Sequence, residues 1–435
     1  MVKQGAVLKS ALLVCLISLH PLNASPFSLI KKESDATPLL LVIGGIHGNE
    51  PGSYFAAALL AQYYTVTKGN LWIIPDLNRQ SIQKNSRGIH GDMNRKFAEL
   101  DPKDPDAPII KEVKEIITDP HVGLILNLHD GHGFYRKEYQ NTIFNPSAWG
   151  QTCVIDQEVL DTKNPYGNLD EIASEVRTDL NTALIENHHL FDVRNTNTRF
   201  DDKEMKHSLT YFAITHNKPA FAIETSKNLP TLHHKVFYQL RAIECYMKLM
   251  GIEFERSLTL TPETIQKLLD NFGYLTINNN YYLTLDHLKT NLSLIPLQSS
   301  RNEFKFSHPL GSIRKNNKKY DVYIGNRKIS SFLPSYHSKG VSSEKITVIA
   351  DGERKTLPFT TDFFVNADFT VLKKSDGVRT DIIGYTRKGV NDESNCRITL
   401  KNLDPKYAIN RSAKSYRIEF YRDNSFYGMT LVHFK

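Results

Sequence analysis

Two textures divide the chain. From about residue 39 to residue 250, short unbroken apolar runs alternate with longer stretches in which apolar residues recur every three to four positions. After Gly251, short alternating segments separated by Asn, Gly and Ser take over. The run Leu39 to Ile43, the glycine-rich stretch Gly44 to Gly52 and the Ala/Leu-rich stretch Phe55 to Tyr64 predict a buried strand, a tight turn and a helix opened by Pro51. Further buried strands are expected at Leu71 to Pro75, Val122 to Leu128 and Pro219 to Ile223. Helices are expected at Ile109 to Ile117, at Asn168 to Asn187 with Asn168 as cap, and at Thr231 to Met250 with Gly251 as the stop. This alternation predicts an α/β domain with a mixed sheet flanked by helices over 25–252. A short helix opens at Pro262. The segments Tyr281 to Leu285, Leu292 to Leu297, Tyr320 to Ile324, Ile346 to Ile349, Phe369 to Leu372, Arg397 to Leu400, Tyr416 to Phe420 and Met429 to Val432 read as strands. They predict two small all-β domains, 253–340 and 341–435, joined near Ser335 to Ser343, the second resembling an immunoglobulin-like sandwich.

Length and composition fit this plan. A chain of 435 residues exceeds one ordinary core, and 40% apolar with 23% charged residues describes a globular protein. The first 24 residues change the picture more. Lys3 and Lys9 precede an apolar stretch from Ala11 to Leu19 and then Pro21 to Ser25, a secretory signal pattern. That stretch is too short to span a bilayer, so no transmembrane segment is expected in the mature protein. Loss of Lys3 and Lys9 takes the net charge from +7 to +5. With no basic block interleaved with aromatics, nucleic acid is not an expected partner. Cys153, Cys245 and Cys396 are distant from one another and odd in number, which argues against a disulfide framework.

The polar residues at the strand exits carry the chemistry. His47 and Glu50 are three positions apart across a tight turn, where an imidazole and a carboxylate can converge on one cation. A catalytic Zn²⁺ that keeps a position open for water uses such a pair. His129 and Glu224 stand at the ends of two other buried strands, the region where open α/β sheets bind ligands. His129 is the expected third ligand because it follows its strand directly, with His132 as competitor.

These residues resemble the motif of the zinc carboxypeptidases of the carboxypeptidase A type: His-x-x-Glu, an Arg, an Asn-Arg pair, a lone His and a late Glu. Here they are His47 and Glu50, Arg87, Asn94 and Arg95, His129, and Glu224, with His129 79 positions after Glu50 and Glu224 95 after His129. The resemblance covers about residues 38–250. With the signal pattern and the trailing β segments, the chain is similar to the periplasmic peptidoglycan D,L-carboxypeptidases that set cell shape in helical Gram-negative bacteria. What it implies is one Zn²⁺ on His47, Glu50 and His129, Glu224 as general base, Arg87 as oxyanion stabiliser, and Asn94 with Arg95 gripping the substrate's terminal carboxylate. The implied reaction trims a muropeptide tripeptide to the dipeptide with release of meso-diaminopimelate in the periplasm. The β domains are left open to the wall polymer, to other cell-shape proteins or to a buttressing role. Two alternatives are a zinc deacylase of N-acyl amino acids and a non-catalytic wall scaffold.

The chain departs from the family in one respect: its nearest tyrosine upstream of Glu224 is Tyr211, closer than the family's mobile tyrosine, and it receives no role. Asp92 is read equally as an orienting or a bending residue. Trp149, Thr210, His207 and Arg136 are candidates for the specificity pocket, and no residue is assigned to the diaminopimelate side chain.

Overall fold

The computed structural model describes residues 26–34, 37–337, 344–374, 377–423 and 425–435. The expected signal segment, 1–24, lies outside them. No described helix is long and apolar enough to cross a membrane.

The central sheet uses seven strands: β1 (Ile30–Glu33), β2 (Leu39–Ile43), β3 (Asn70–Ile74), β4 (Val122–Gly131), β5 (Thr152–Ile155), β6 (Asp192–Asn195) and β7 (Ala220–Ser226), ordered β1-β3-β2-β4-β7-β5-β6. Its middle is parallel, β3, β2, β4 and β7 all running one way, while β1 and β5 pair antiparallel to their neighbours β3 and β7. The sheet is therefore mixed, as expected. Every residue of β2 is buried, as a central parallel strand covered on both faces requires. The flanking helices include α1 (Pro51–Tyr63), α2 (Ala107–Ile117), α3 (Leu169–Leu180), α4 (Leu209–Thr215) and α5 (Leu232–Leu249). Pro51 opens α1, and Thr231 caps α5 by accepting a hydrogen bond from the His234 amide at 3.3 Å.

Three expectations need correction. The helix anticipated through Asn187 stops at Leu180, because the Asn181 side chain bonds the Phe191 backbone at both its carbonyl and its amide, turning the chain toward β6. Strands β4 and β7 run past Leu128 and Ile223 to Gly131 and Ser226, so His129 and Glu224 lie inside the ladder, directly opposite one another. Ser335 to His337 close the strand Arg327–His337 instead of opening a linker, and the rest of that expected boundary, 338–343, lies outside the described residues.

After the α/β part come a three-stranded sheet (Tyr281–Thr284, Tyr274–Ile277, Phe304–Phe306) and a four-stranded one (Asn291–Gln298, Arg327–His337, Lys319–Ile324, Gly311–Asn316). The C-terminal part is a sandwich of two four-stranded sheets whose own core includes Val348, Phe369, Ile418 and Phe420. The middle β part leans on the α/β part. The Arg327 guanidinium lies over the Phe55 ring at 5.2 Å. Gly325, at φ +56°, brings its backbone against the Tyr54 and Phe55 rings.

One group in the sandwich sets a pH dependence. Burial lifts the Glu393 carboxyl to about 7, outweighing the hydrogen bond it accepts from the Ile382 amide, with Asp381 adding to the rise. A raised carboxyl pKa means that the stability it confers is complete below its ordinary value of 4.5 and is lost as pH climbs through about 7. Glu393→Gln is therefore expected to gain melting temperature relative to the parent between pH 4.5 and 8. Calorimetry showing a constant difference across that range would refute it.

Candidate metal centre and active-site cleft

The site starts at the end of β2. Gly45 takes φ +77°, a left-handed turn that side chains resist, and Gly48 packs so tightly on the Ser81 carbonyl that a Cβ would overlap it. This turn carries His47 back toward Glu50, the residue preceding α1. His129 arrives from β4. Donor atoms of His47, Glu50 and His129, all buried, lie within 4.8 Å of one another.

The Glu50 carboxylate is the hub. Its Oε2 is 2.9 Å from His129 Nδ1 and accepts the Asp130 amide at 3.2 Å, while its Oε1 accepts Arg87 Nη1 at 3.2 Å and Lys227 Nζ at 3.3 Å. His47 Nδ1 sits 3.1 Å from Oε1, is buried, and has no hydrogen-bond partner among the described residues. The other nitrogen of His47, Nε2, meets Asp92 Oδ1 at 2.8 Å, an arrangement that fixes the ring and leaves Nδ1 facing the cluster. Two imidazoles and a carboxylate whose donor atoms converge in this way fit a metal ion with three protein ligands.

Electrostatics follow from burial. Desolvation acts against the charge on Glu50, but the two imidazoles hold its carboxyl well below the usual range. Burial keeps His129 below its ordinary value despite Glu50, so it is neutral near pH 7, as a ligand imidazole must be. Glu224 moves the other way. Desolvation by burial, then the charges of Glu50 and Asp130, push its carboxyl well above the ordinary range. A carboxylate tuned upward beside a metal cluster suits proton transfer near neutral pH.

Around the cluster is a cleft of about 230 Å³. Arg87, Asn94, Arg95, His129 and Glu224 all line it together with His47 and Glu50, so the structure brings these seven residues to one cavity. Arg87 also donates to Asp92 at 2.9 Å, Asn94 is held by the Leu209 amide at 3.0 Å, and Asp92 caps the short turn Met93–Arg95 through the Asn94 amide at 2.9 Å. His132 lines the cleft but is exposed and stands outside the three-residue cluster. Trp149 and Thr210 line the cleft, whereas Arg136, His207 and Tyr211 are not among its lining residues. Arg136 instead pins the His188 and Leu190 carbonyls. Three polar lining residues escaped the sequence reading. Lys227 follows Glu224 by three positions, Asp130 anchors the Gly52 amide at 2.8 Å, and Asn127 precedes His129 by two. Strand periodicity would have placed Asn127 on the face of His129.

Residues 6–270 match the sequence profile of a family described as "Carboxypeptidase controlling helical cell shape catalytic". This chain belongs to that family. Residues 340–435 match a second profile, the C-terminal domain of metallo-carboxypeptidase. The carboxypeptidase family accounts for the buried cluster: the chain is a metallocarboxypeptidase, with His47, Glu50 and His129 able to hold the metal. Among solved structures, the apo cell shape determinant Csd4 of Helicobacter pylori is 32% identical at TM-score 0.87, over 94% of this chain and 100% of that one. Its tripeptide-bound form matches at TM-score 0.86 with 32% identity and the same coverage. Its mDAP-bound form, described as a D,L-carboxypeptidase, matches at 0.86 and 32%, over 93% of this chain and 100% of that one. No curated protein sequence matches the chain.

Proposed function

We propose that this family member is a zinc-dependent D,L-carboxypeptidase of the periplasm that removes the terminal meso-diaminopimelate from a muropeptide tripeptide, leaves the dipeptide, and so contributes to cell shape. The observation that carries the reading is the meeting of His47, Glu50 and His129 with Glu224 in one cleft, in a chain similar along its length to a tripeptide-bound D,L-carboxypeptidase. The domain limits 25–252, 253–340 and 341–435 belong to the same proposal.

In this reading His47, Glu50 and His129 hold the zinc, whose preference for imidazole and carboxylate donors they meet. The chemistry zinc supplies in such a donor set is Lewis acidity toward a carbonyl oxygen and activation of water near neutral pH. Glu224 accepts the proton of the attacking water and returns it to the departing amine, a shuttle for which its raised pKa is suited. Arg87, half exposed and leaning on Glu50 and Asp92, donates to the oxygen that gains charge as the carbonyl is attacked. Arg95 and Asn94 hold the terminal carboxylate, Arg95 through the two parallel hydrogen bonds its fork allows. That grip makes the activity exopeptidic.

The test is incubation of the zinc-loaded full chain with a diaminopimelate-ending muropeptide tripeptide, read by mass spectrometry. Dipeptide plus free diaminopimelate, abolished by chelation and restored by zinc, is the expected result. Intact tripeptide in the presence of bound zinc would sink the proposal.

A further inference from the structure

Below the catalytic layer the sheet carries a second row of side chains. In the ladder Glu224 stands opposite His129 on β4 and Thr152 on β5; two residues down the same strands, Ala222 stands opposite Asn127 and Val154. Strand geometry sets this lower row about 6.6 Å deeper on the same face. Asn127, Val154 and Ala222 all line the cleft, with Met205 and Thr210 at its wall. The cleft thus has a chemical level and a floor.

Asn127 is the anomaly of that floor. It has no exposed surface, lies within a strand whose flanking residues Leu126 and Leu128 are core, and neither its Oδ1 nor its Nδ2 finds a hydrogen-bond partner among the described residues. A buried amide with both atoms unpaired is costly and calls for a reason. Its place in the cleft lining points to a ligand.

We propose that Asn127 is a specificity-determining residue that reads the far end of the substrate's C-terminal side chain and selects one that ends in both an ammonium and a carboxylate. This rests on the proposed function, in which Asn94 and Arg95 hold the main-chain carboxylate at the chemical level, leaving the side chain to descend to the floor. A carboxamide offers donors to a carboxylate and an acceptor to an ammonium. A fixed charge would favour one half of such a zwitterion and oppose the other. The two opposite charges sit on one carbon, so the end is neutral overall and less costly to bring into the cleft than either ion alone. Ala222 leaves room beside the amide, and Val154 and Met205 cover the methylenes that lead down to it.

The experiment compares tripeptides ending in meso-diaminopimelate and in norleucine, which has the same methylene run without the two polar groups, on the zinc-loaded full chain and on Asn127→Leu. A site built around a polar group rejects the analogue that lacks it strongly, so the parent should prefer the diaminopimelate peptide in kcat/KM by about 10³-fold or more. In Asn127→Leu that preference should fall at least about 100-fold, with cleavage of the norleucine peptide retained or improved. An unchanged preference overturns the inference, as does an equal loss on both peptides with zinc content and melting temperature intact. Calorimetric binding of free meso-diaminopimelate and free norleucine is the second readout. If the parent cleaves neither peptide, the proposed function fails, and the calorimetry decides Asn127 on its own: diaminopimelate bound by the parent and not by Asn127→Leu supports the assignment, and equal binding overturns it. Should Asn127→Leu fail to fold, Asn127→Ser is put through the same comparison: a preference as large as the parent's overturns the assignment, and a reduced one supports it.

Discussion

Glu224→Gln is expected to lower kcat by about 10³-fold, within the range by which positioned acid–base groups accelerate reactions, while bound metal and KM stay close to the parent's. Glutamine keeps the size and shape of the side chain and removes only its capacity to take a proton. Glu224 stands outside the three residues whose donor atoms converge, so its replacement should leave the metal in place. That separation distinguishes it from Glu50→Gln, which should lose metal and rate together. Steady-state kinetics on the tripeptide with parallel metal analysis checks both. A Glu224→Gln enzyme retaining a tenth of the parent kcat would remove Glu224 from the proton shuttle.

The second large effect lies far from the cleft. Arg417 and Glu419 lie two residues apart on the strand Ser415–Arg422, both almost fully buried, with Arg417 Nη1 3.1 Å from Glu419 Oε1. The same guanidinium donates to the Tyr281 hydroxyl and to the Leu294 carbonyl, each at 3.1 Å, so it ties the sandwich to the middle β part. Arg417→Ala leaves Glu419 buried without its counter-charge and should cost about 3–5 kcal/mol of stability. Replacing both, Arg417→Met with Glu419→Leu, should recover most of that loss, because the penalty comes from the stranded charge and not from the missing attraction. Denaturant unfolding of the two variants separates these contributions. A double variant as unstable as the single one would show that the bonds to Tyr281 and Leu294 matter more than the charge pair.

How much of this the sequence disclosed depended on how local the signal was. The apolar runs at 39–43 and 122–128 marked the central strands because a strand buried on both faces leaves no polar alternation to confuse it. The His47 and Glu50 pair was legible because three positions bracket one turn, and His129 and Glu224 because each follows an apolar run. Strand β6, Asp192–Asn195, was illegible: an edge strand with every residue half buried has no hydrophobic period. Asn127 was hidden for a different reason. A polar residue inside an apolar run reads as an imperfection until the register shows that it faces the cleft beneath His129.

That register bears on divergence. Cutting is assigned to one row of the sheet, His129 and Glu224, and choosing to the next, Asn127, Ala222 and Val154, on the same strands. Substitution in the lower row can change which peptides are taken while the upper row stays under purifying selection, so related lineages can differ in diet and share a catalytic apparatus. The constraint runs the other way for insertions: adding or removing a single residue in β4 ahead of these positions turns His129 and Asn127 together to the opposite face and abolishes both roles at once.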